Sequence, residues 1–438
     1  MTTPETVDLG EALRALDEVN PLRLAGRVTE VTGLVMRADV PGLVLGELVF
    51  VERARGGALP AEVVGFRGDE AVLLPLGELG GVAPASSVVR TGAPLRIRAG
   101  DALLGRVLDG LGNPVDGGPA IAGEAWAVDR EAPAPMDRPA IATPLATGVR
   151  AVDGFTTLGV GQRVGLFAGS GVGKSTLLGQ IARGADADVV VVGLVGERGR
   201  ELGDFLAGPL AHARDRAVVV CATADAPSLV RLRAAYVATA VAEWFRDRRG
   251  ARVLLVLDSL TRVARAQREV GLSAGEPPAR HGYPPSVFAM LPRLVERAGT
   301  SRHGSITAVY TVLVAGGDLD EPIADEVRGS VDGHIVLDRR LASRGHFPPI
   351  DVTASVSRVM NQIADDAHRA AAATARRRLA IYEEHRDLIT LGAYKSGADR
   401  ALDDAVAHQA DLDRFLRQEP AERDELAATV AKLTAISR

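Results

Sequence analysis

RVGLFAGSGVGKSTLLGQIAR, residues 163–183, decides the fold. An apolar run, residues 163–168, passes into a glycine-rich turn and then into the helical pattern TLLGQIAR. Gly169, Gly171 and Gly173, with Ser170 and Val172 between them, let successive backbone N–H groups point inward around a phosphate. The helix that follows presents its positive end to the same phosphates. In such a loop Lys174 reaches the β- and γ-phosphates and the Ser175 hydroxyl ligates Mg²⁺, with Thr176 completing the motif. The strict motif opens on Gly, where this chain has Ala168, but its inner residues are intact.

Working outward, four more apolar runs alternate with helical patterns: 189–195, 253–258, 306–314 and 334–337. Runs buried on both faces and separated by helices predict an α/β fold with a mostly parallel sheet. Ligands of open α/β sheets bind beyond the carboxyl ends of the strands, which directs attention to two acids. VLLVLD ends at Asp258, where a carboxylate that supports Mg²⁺ belongs downstream of a phosphate loop. VVVVGLV leads into GERGRE, residues 196–201, and places Glu197 where a carboxylate can orient an attacking water. Arg198 either fixes that carboxylate or senses phosphate. The plainer reading of this stretch is a surface salt-bridge cluster.

The flanks differ in character. Residues 21–95 carry short Val/Leu runs broken by Gly, Pro and Asp turns, which predicts a small all-β barrel or sandwich. That region has seven Arg against eight Asp plus Glu, and its aromatics are Phe50 and Phe66. An RNA-binding barrel needs cations and stacking aromatics, so a structural role fits better. Residues 110–148 are rich in Pro and Gly and read as an extended linker. Beyond residue 360 the only proline is Pro420, and the pattern is helical. The Ala/Arg-rich stretch AHRAAAATARRRL reads there as a solvated helix. Residues 1–20 read as a short amphipathic helix, either a frayed end or a partner-binding element.

Composition narrows the classes. The 438 residues carry a net charge of −5, which argues against a general polyanion binder. The single cysteine, Cys221, excludes an internal disulfide framework and a cysteine-rich metal site. His281 and His303 have no ligand partners at metal spacing. The first residues lack the basic start and apolar run of a secretory signal, and no run is long enough to span a bilayer.

Several long segments carry a resemblance. AGSGVGKST, VGERGRE, LDSLTRVARAQREVGLSAGEPPARHGYPPSVFAMLPRLVERAG, GGDLDEPIADEVRGSVDGHIVLDR and GAYKSGAD closely resemble the ATPase of flagellar and type III protein export. The resemblance covers nearly the whole chain. It implies a β-barrel over 21–95, a RecA-like P-loop nucleotide domain over 96–360 and a C-terminal helical domain over 361–438. It further implies a homohexamer that hydrolyses ATP with Mg²⁺ to energise export of unfolded flagellar or virulence proteins. Laid on this chain, Gly173, Lys174, Ser175 and Thr176 match the P-loop and Asp258 the Mg²⁺-supporting acid. Glu197 matches the catalytic glutamate, Arg198 its neighbour, and Arg358 in SVSR the arginine finger inserted by a ring neighbour. Phe347 in GHFPPID matches the aromatic that packs on adenine, and a core phenylalanine beside two prolines is the alternative. The implied partners are a regulator at the N-terminal helix, stalk and export-gate proteins, and export substrates with their chaperones. The implied location is the cytoplasm, peripheral to the inner membrane, with no nucleic acid bound.

Two other readings are weaker. A rotary ATP synthase subunit is disfavoured because Glu197 and Arg358 occur in one chain. An RNA-translocating hexamer is disfavoured by the acidic, aromatic-poor barrel. The Pro-rich segment 275–288 reads either as a loop facing a ring's central channel or as a rigid turn capping the next helix.

Overall fold

The computed structural model describes residues 24–438, so the expected helix over 1–20 lies outside the described residues. The chain parts into two compact units between Leu95 and Arg96.

The first unit is a closed six-stranded barrel. Its strands are β1 (Ala25–Thr32), β2 (Val35–Asp39), β3 (Glu47–Val51), β4 (Leu59–Arg67), β5 (Glu70–Pro75) and β6 (Ser87–Pro94). They pair in the order β1-β2-β5-β4-β3-β6 and close on themselves, which leaves no free edge. Val28, Met36, Val49, Val51, Val63 and Leu73 point inward, while Phe50 and Phe66 face solvent. Glu47 is buried, and its charge is met by Arg90 at 3.0 and 3.1 Å and by the Gly92 N–H at 2.8 Å. A buried carboxylate without such partners costs several kcal/mol.

The second unit is built on a nine-stranded sheet. Its path runs Ile350–Ser357, Gly333–Leu337, Arg163–Ala168, Ser305–Leu313, Arg252–Asp258, Val189–Glu197, Ala217–Thr223, Val107–Leu108. All these pairings are parallel except the outermost, where Ile350–Ser357 runs antiparallel to Gly333–Leu337. The five predicted runs all become strands. The strand Ala217–Thr223 has no counterpart in the sequence reading. Its run AVVVC lies between ARDR and ADAPS and is short enough to pass for a buried turn.

The helices after residue 360 share a core with this sheet unit. Phe415 meets Phe155 edge-on with ring centres 6.2 Å apart, and Leu412, Leu416 and Leu433 belong to the same apolar cluster. The solvated helix expected of AHRAAAATARRRL needs correcting. Ala371, Ala372 and Ala375 are buried, and the buried Arg378 pairs with Asp404 at 2.8 Å. Small alanines on one face allow close packing with the helices Arg400–Leu416 and Leu426–Ser437. Arg150 ties the two parts together. It donates to the Phe415 carbonyl at 2.7 Å and pairs with Asp424 at 3.0 Å, while its own N–H donates to Gln418 at 2.8 Å.

Candidate active site

The phosphate loop leaves the central strand at Ala168 and enters the helix Lys174–Gly184. Gly171 and Gly173 have φ of 74° and 99°, left-handed values that explain glycine at these two positions. Ala168 ends an extended strand and has no positive φ, so a methyl group is tolerated where the strict motif has glycine. The loop borders a cleft of about 570 Å³, lined on one side by Gly169, Ser170, Lys174, Ser175 and Thr176. Glu197, Arg198, Glu201, Arg262 and Arg265 line the other side.

Three strand ends deliver the charges. Asp258 closes the strand Arg252–Asp258, is almost fully buried, and accepts from the Thr311 hydroxyl at 2.7 Å. Lys174 Nζ lies in a close ion pair with Asp258 Oδ1 and 3.7 Å from Glu197 Oε1. Glu197 is the last residue of its strand. Its Oε2 accepts from Arg262 Nη2 at 2.9 Å, while Oε1 is buried and has no hydrogen-bond partner. Burial, reinforced by repulsion from Asp258, pushes the Glu197 carboxyl up to about 7.

The residue that holds Glu197 is Arg262, which the sequence reading did not single out. Its other nitrogen, Nη1, donates to the Gly196 carbonyl. The side chain lies so close over Gly196 that a Cβ there would sit 3.0 Å from Arg262 Cδ. A signal was present: Arg262 follows Asp258 by four residues, one turn into a helix capped by Ser259, and therefore points back over the strand ends. Arg198 does not hold the carboxylate. Its side chain is 74% exposed and approaches Glu201 at 4.0 Å, so only its phosphate-facing alternative survives.

Two further residues take contrasting places. Phe347 is half exposed, with its ring 3.9 Å from where a Cβ on Gly173 would lie. Its carbonyl accepts from Gln418 N at 2.9 Å. Arg358 follows the strand Ile350–Ser357, is exposed, and donates to the Arg328 carbonyl at 3.3 Å. It does not line the cleft of its own chain. Arg339 donates to the Ser170 carbonyl at 3.1 Å and so braces the start of the loop.

Comparison with known proteins agrees with this geometry. Residues 148–357 match the ATP synthase alpha/beta family nucleotide-binding domain, and residues 28–92 match its beta-barrel domain. Residues 364–435 match the T3SS EscN ATPase C-terminal domain. The chain is 48% identical over 416 residues to the flagellum-specific ATP synthase of Bacillus subtilis, covering 93% of this chain and 95% of that one. It is 51% identical over 418 residues to the type 3 secretion system ATPase of Xanthomonas euvesicatoria, covering 95% and 94% respectively. The assembled ATPase EscN from the enteropathogenic E. coli type III secretion system superposes with a TM-score of 0.89 at 43% identity. That superposition covers 94% of this chain and all of the EscN chain.

Proposed function

The chain belongs to the ATP synthase alpha/beta family, in its branch of flagellar and type III secretion ATPases, and on that premise we propose that it hydrolyses ATP to drive protein export. The observation that carries the reading is the pairing of Glu197 with Arg262 across the cleft from the P-loop lysine. Backbone N–H groups of residues 169–174 cradle the phosphates and Lys174 neutralises their charge. Lys174 is held by Asp258 and Glu197, so an incoming phosphate exchanges partners with two carboxylates already in place. Glu197 accepts a proton from the attacking water as its oxygen bonds to the γ-phosphorus, and ADP leaves. Arg262 is a positioning residue that fixes which carboxylate oxygen faces the cleft. Phe347 stacks on the adenine.

The carboxylates suit a divalent cation. Two acids and one ammonium converge at the strand ends, and one Glu197 oxygen lacks a partner. Among the described residues no group of three or more His, Cys, Asp or Glu holds a metal unaided. Mg²⁺ therefore arrives with the nucleotide, held by the Ser175 hydroxyl and supported by Asp258. There it would screen the charge that develops on the phosphates.

Arg358 is assigned to the site of a neighbouring subunit, as the finger that stabilises charge on the transferring phosphoryl group. Its distance from its own cleft supports this role and makes a homohexameric ring the working assembly. A relative, EscN, is described in complex with its central stalk EscO, and an analogous stalk is assigned here. Export-gate proteins, chaperoned substrates and a regulator at residues 1–20 complete the proposed partners. No helix among the described residues is long and apolar enough to cross a membrane, which fits peripheral recruitment to the inner membrane.

The test is Glu197→Gln. It keeps size and hydrogen bonding and removes the base. Turnover is expected to fall by about 10²–10⁴ with ATP affinity retained. Normal turnover in that variant would refute the assignment.

A further inference from the structure

A second cavity, of about 360 Å³, lies between the segment 338–346, the strand Ile350–Ser357 and the helices Asp366–Glu384 and Arg400–Leu416. Its size falls in the range of small-molecule sites. Leu341, Ile350, Val352, Leu379 and Leu416 supply apolar walls. The charges at its rim are paired with one another: Arg340 with Asp338 at 2.9 Å, Arg386 with Glu383 at 3.2 Å and Arg417 with Asp413 at 3.4 Å. The rim therefore offers little net field to attract an ion.

Its polar atoms are specific. His346 is only 5% exposed, and its Nε2 has no hydrogen-bond partner. The buried Gln409 Oε1 has none either. Both side chains converge on one carboxylate oxygen. Gln409 Nε2 donates to Asp413 Oδ1 at 3.5 Å, and His346 Nδ1 lies 3.7 Å from the same oxygen. The carboxylate draws the imidazole proton to Nδ1, which leaves Nε2 as an acceptor. Burial holds the imidazole pKa below its ordinary value, and the ring is neutral near pH 7. One wall thus presents two unsatisfied acceptors, each costly to leave unpaired.

We propose that this cavity binds a small flat molecule with two neighbouring N–H donors, of the amino-substituted heteroaromatic class, and that its occupancy is coupled to nucleotide binding. The coupling rests on the nucleotide reading of the P-loop cleft. Segment 338–347 is shared by both places. Arg340, Leu341, Arg344 and His346 face the cavity, whereas Arg339 holds the Ser170 carbonyl and Phe347 lies over Gly173. A ligand that shifts this segment changes the loop, and by linkage the nucleotide changes the ligand's affinity by the same factor.

The experiment is calorimetric titration of the full chain with aminobenzimidazole, with and without saturating ADP. Saturable binding is expected in both forms, with different dissociation constants, and ADP affinity should shift by the same ratio when the probe is present. Gln409→Leu removes one acceptor and is expected to weaken the probe by about tenfold. Leu379→Phe, which narrows the cavity from a different helix, is expected to abolish binding. Absence of saturable binding would overturn the proposal. So would displacement of the probe by ADP, because the probe would then be stacking on Phe347. Unchanged binding in both variants, or ADP affinity indifferent to the probe, would overturn it too. The ADP titration without probe separately reports the nucleotide reading: if ADP itself does not bind, that reading fails first.

Discussion

Glu197 shows how one side chain is tuned by its place in the chain. It ends a buried strand, so it loses water. It faces Asp258, so it gains a repelling charge. Both effects raise its pKa to about 7. A base that is protonated below its pKa cannot accept a proton from water. The kcat/KM of ATP hydrolysis, which reports the free enzyme, is therefore expected to rise with pH through about 7 and level off above it. A profile flat from pH 6 to pH 8 would show that Glu197 is not the titrating base. The P-loop, Glu197 and Asp258 were legible because each sits at a strand end beside a recognisable turn. Arg262 was not, because its role depends on where the first turn of a helix points, and the same spacing occurs in countless surface helices. Arg198 misled for a related reason: adjacency to Glu197 in sequence implies the opposite side of an extended backbone, not contact.

Elements follow the same division. The runs 163–168, 189–195, 253–258, 306–314 and 334–337 announced themselves because strands buried on both faces need unbroken apolar stretches. The strand Ile350–Ser357 carries alternating polar residues, as an antiparallel edge strand should, and its period is easily lost beside the prolines that precede it. The burial of the helix Asp366–Glu384 was concealed by its composition, since alanine is equally at home on a solvated face. The short helix Arg150–Phe155 depends on its first residue. The Arg150 guanidinium is 10% exposed and is satisfied by the Phe415 carbonyl and the Asp424 carboxylate. Arg150→Ala leaves Asp424 and these carbonyls without their partner. It is expected to lower the unfolding free energy by about 3 kcal/mol in urea titration. Amide exchange should quicken first in Arg400–Leu416. A loss within experimental error would mean that the apolar cluster around Phe155 alone holds the helices in place.

For the whole molecule, the placement of Arg358 outside its own cleft sets the expectations. If each cleft borrows this arginine from a neighbour, specific ATPase activity rises with protein concentration across the micromolar range as rings assemble. A flat dependence would rule out the borrowed arginine. Arg358→Ala is expected to lower turnover by about 10³ or more while nucleotide affinity changes little. Unchanged turnover would make Arg358 an ordinary surface residue. The three-part plan of barrel, nucleotide sheet and helices could be read from shifts in composition along the chain. The sharing of one apolar core by the last two could not, because nothing in a helical pattern says which face its neighbour will cover.

The antiparallel edge strand Ile350–Ser357 has one further consequence. Phe347 stands just before it and Arg358 just after it, so a single extended segment of about 26 Å, at ~3.3 Å per residue, separates the adenine platform of one site from the finger offered to the next. Such a segment is a ruler with a mark at each end. Its length is as fixed as its sequence, because one inserted residue would turn every following side chain to the opposite face and aim the finger away from its target. Subunits in a ring can tolerate drift in their loops, but this strand is the gauge by which neighbours stay in step.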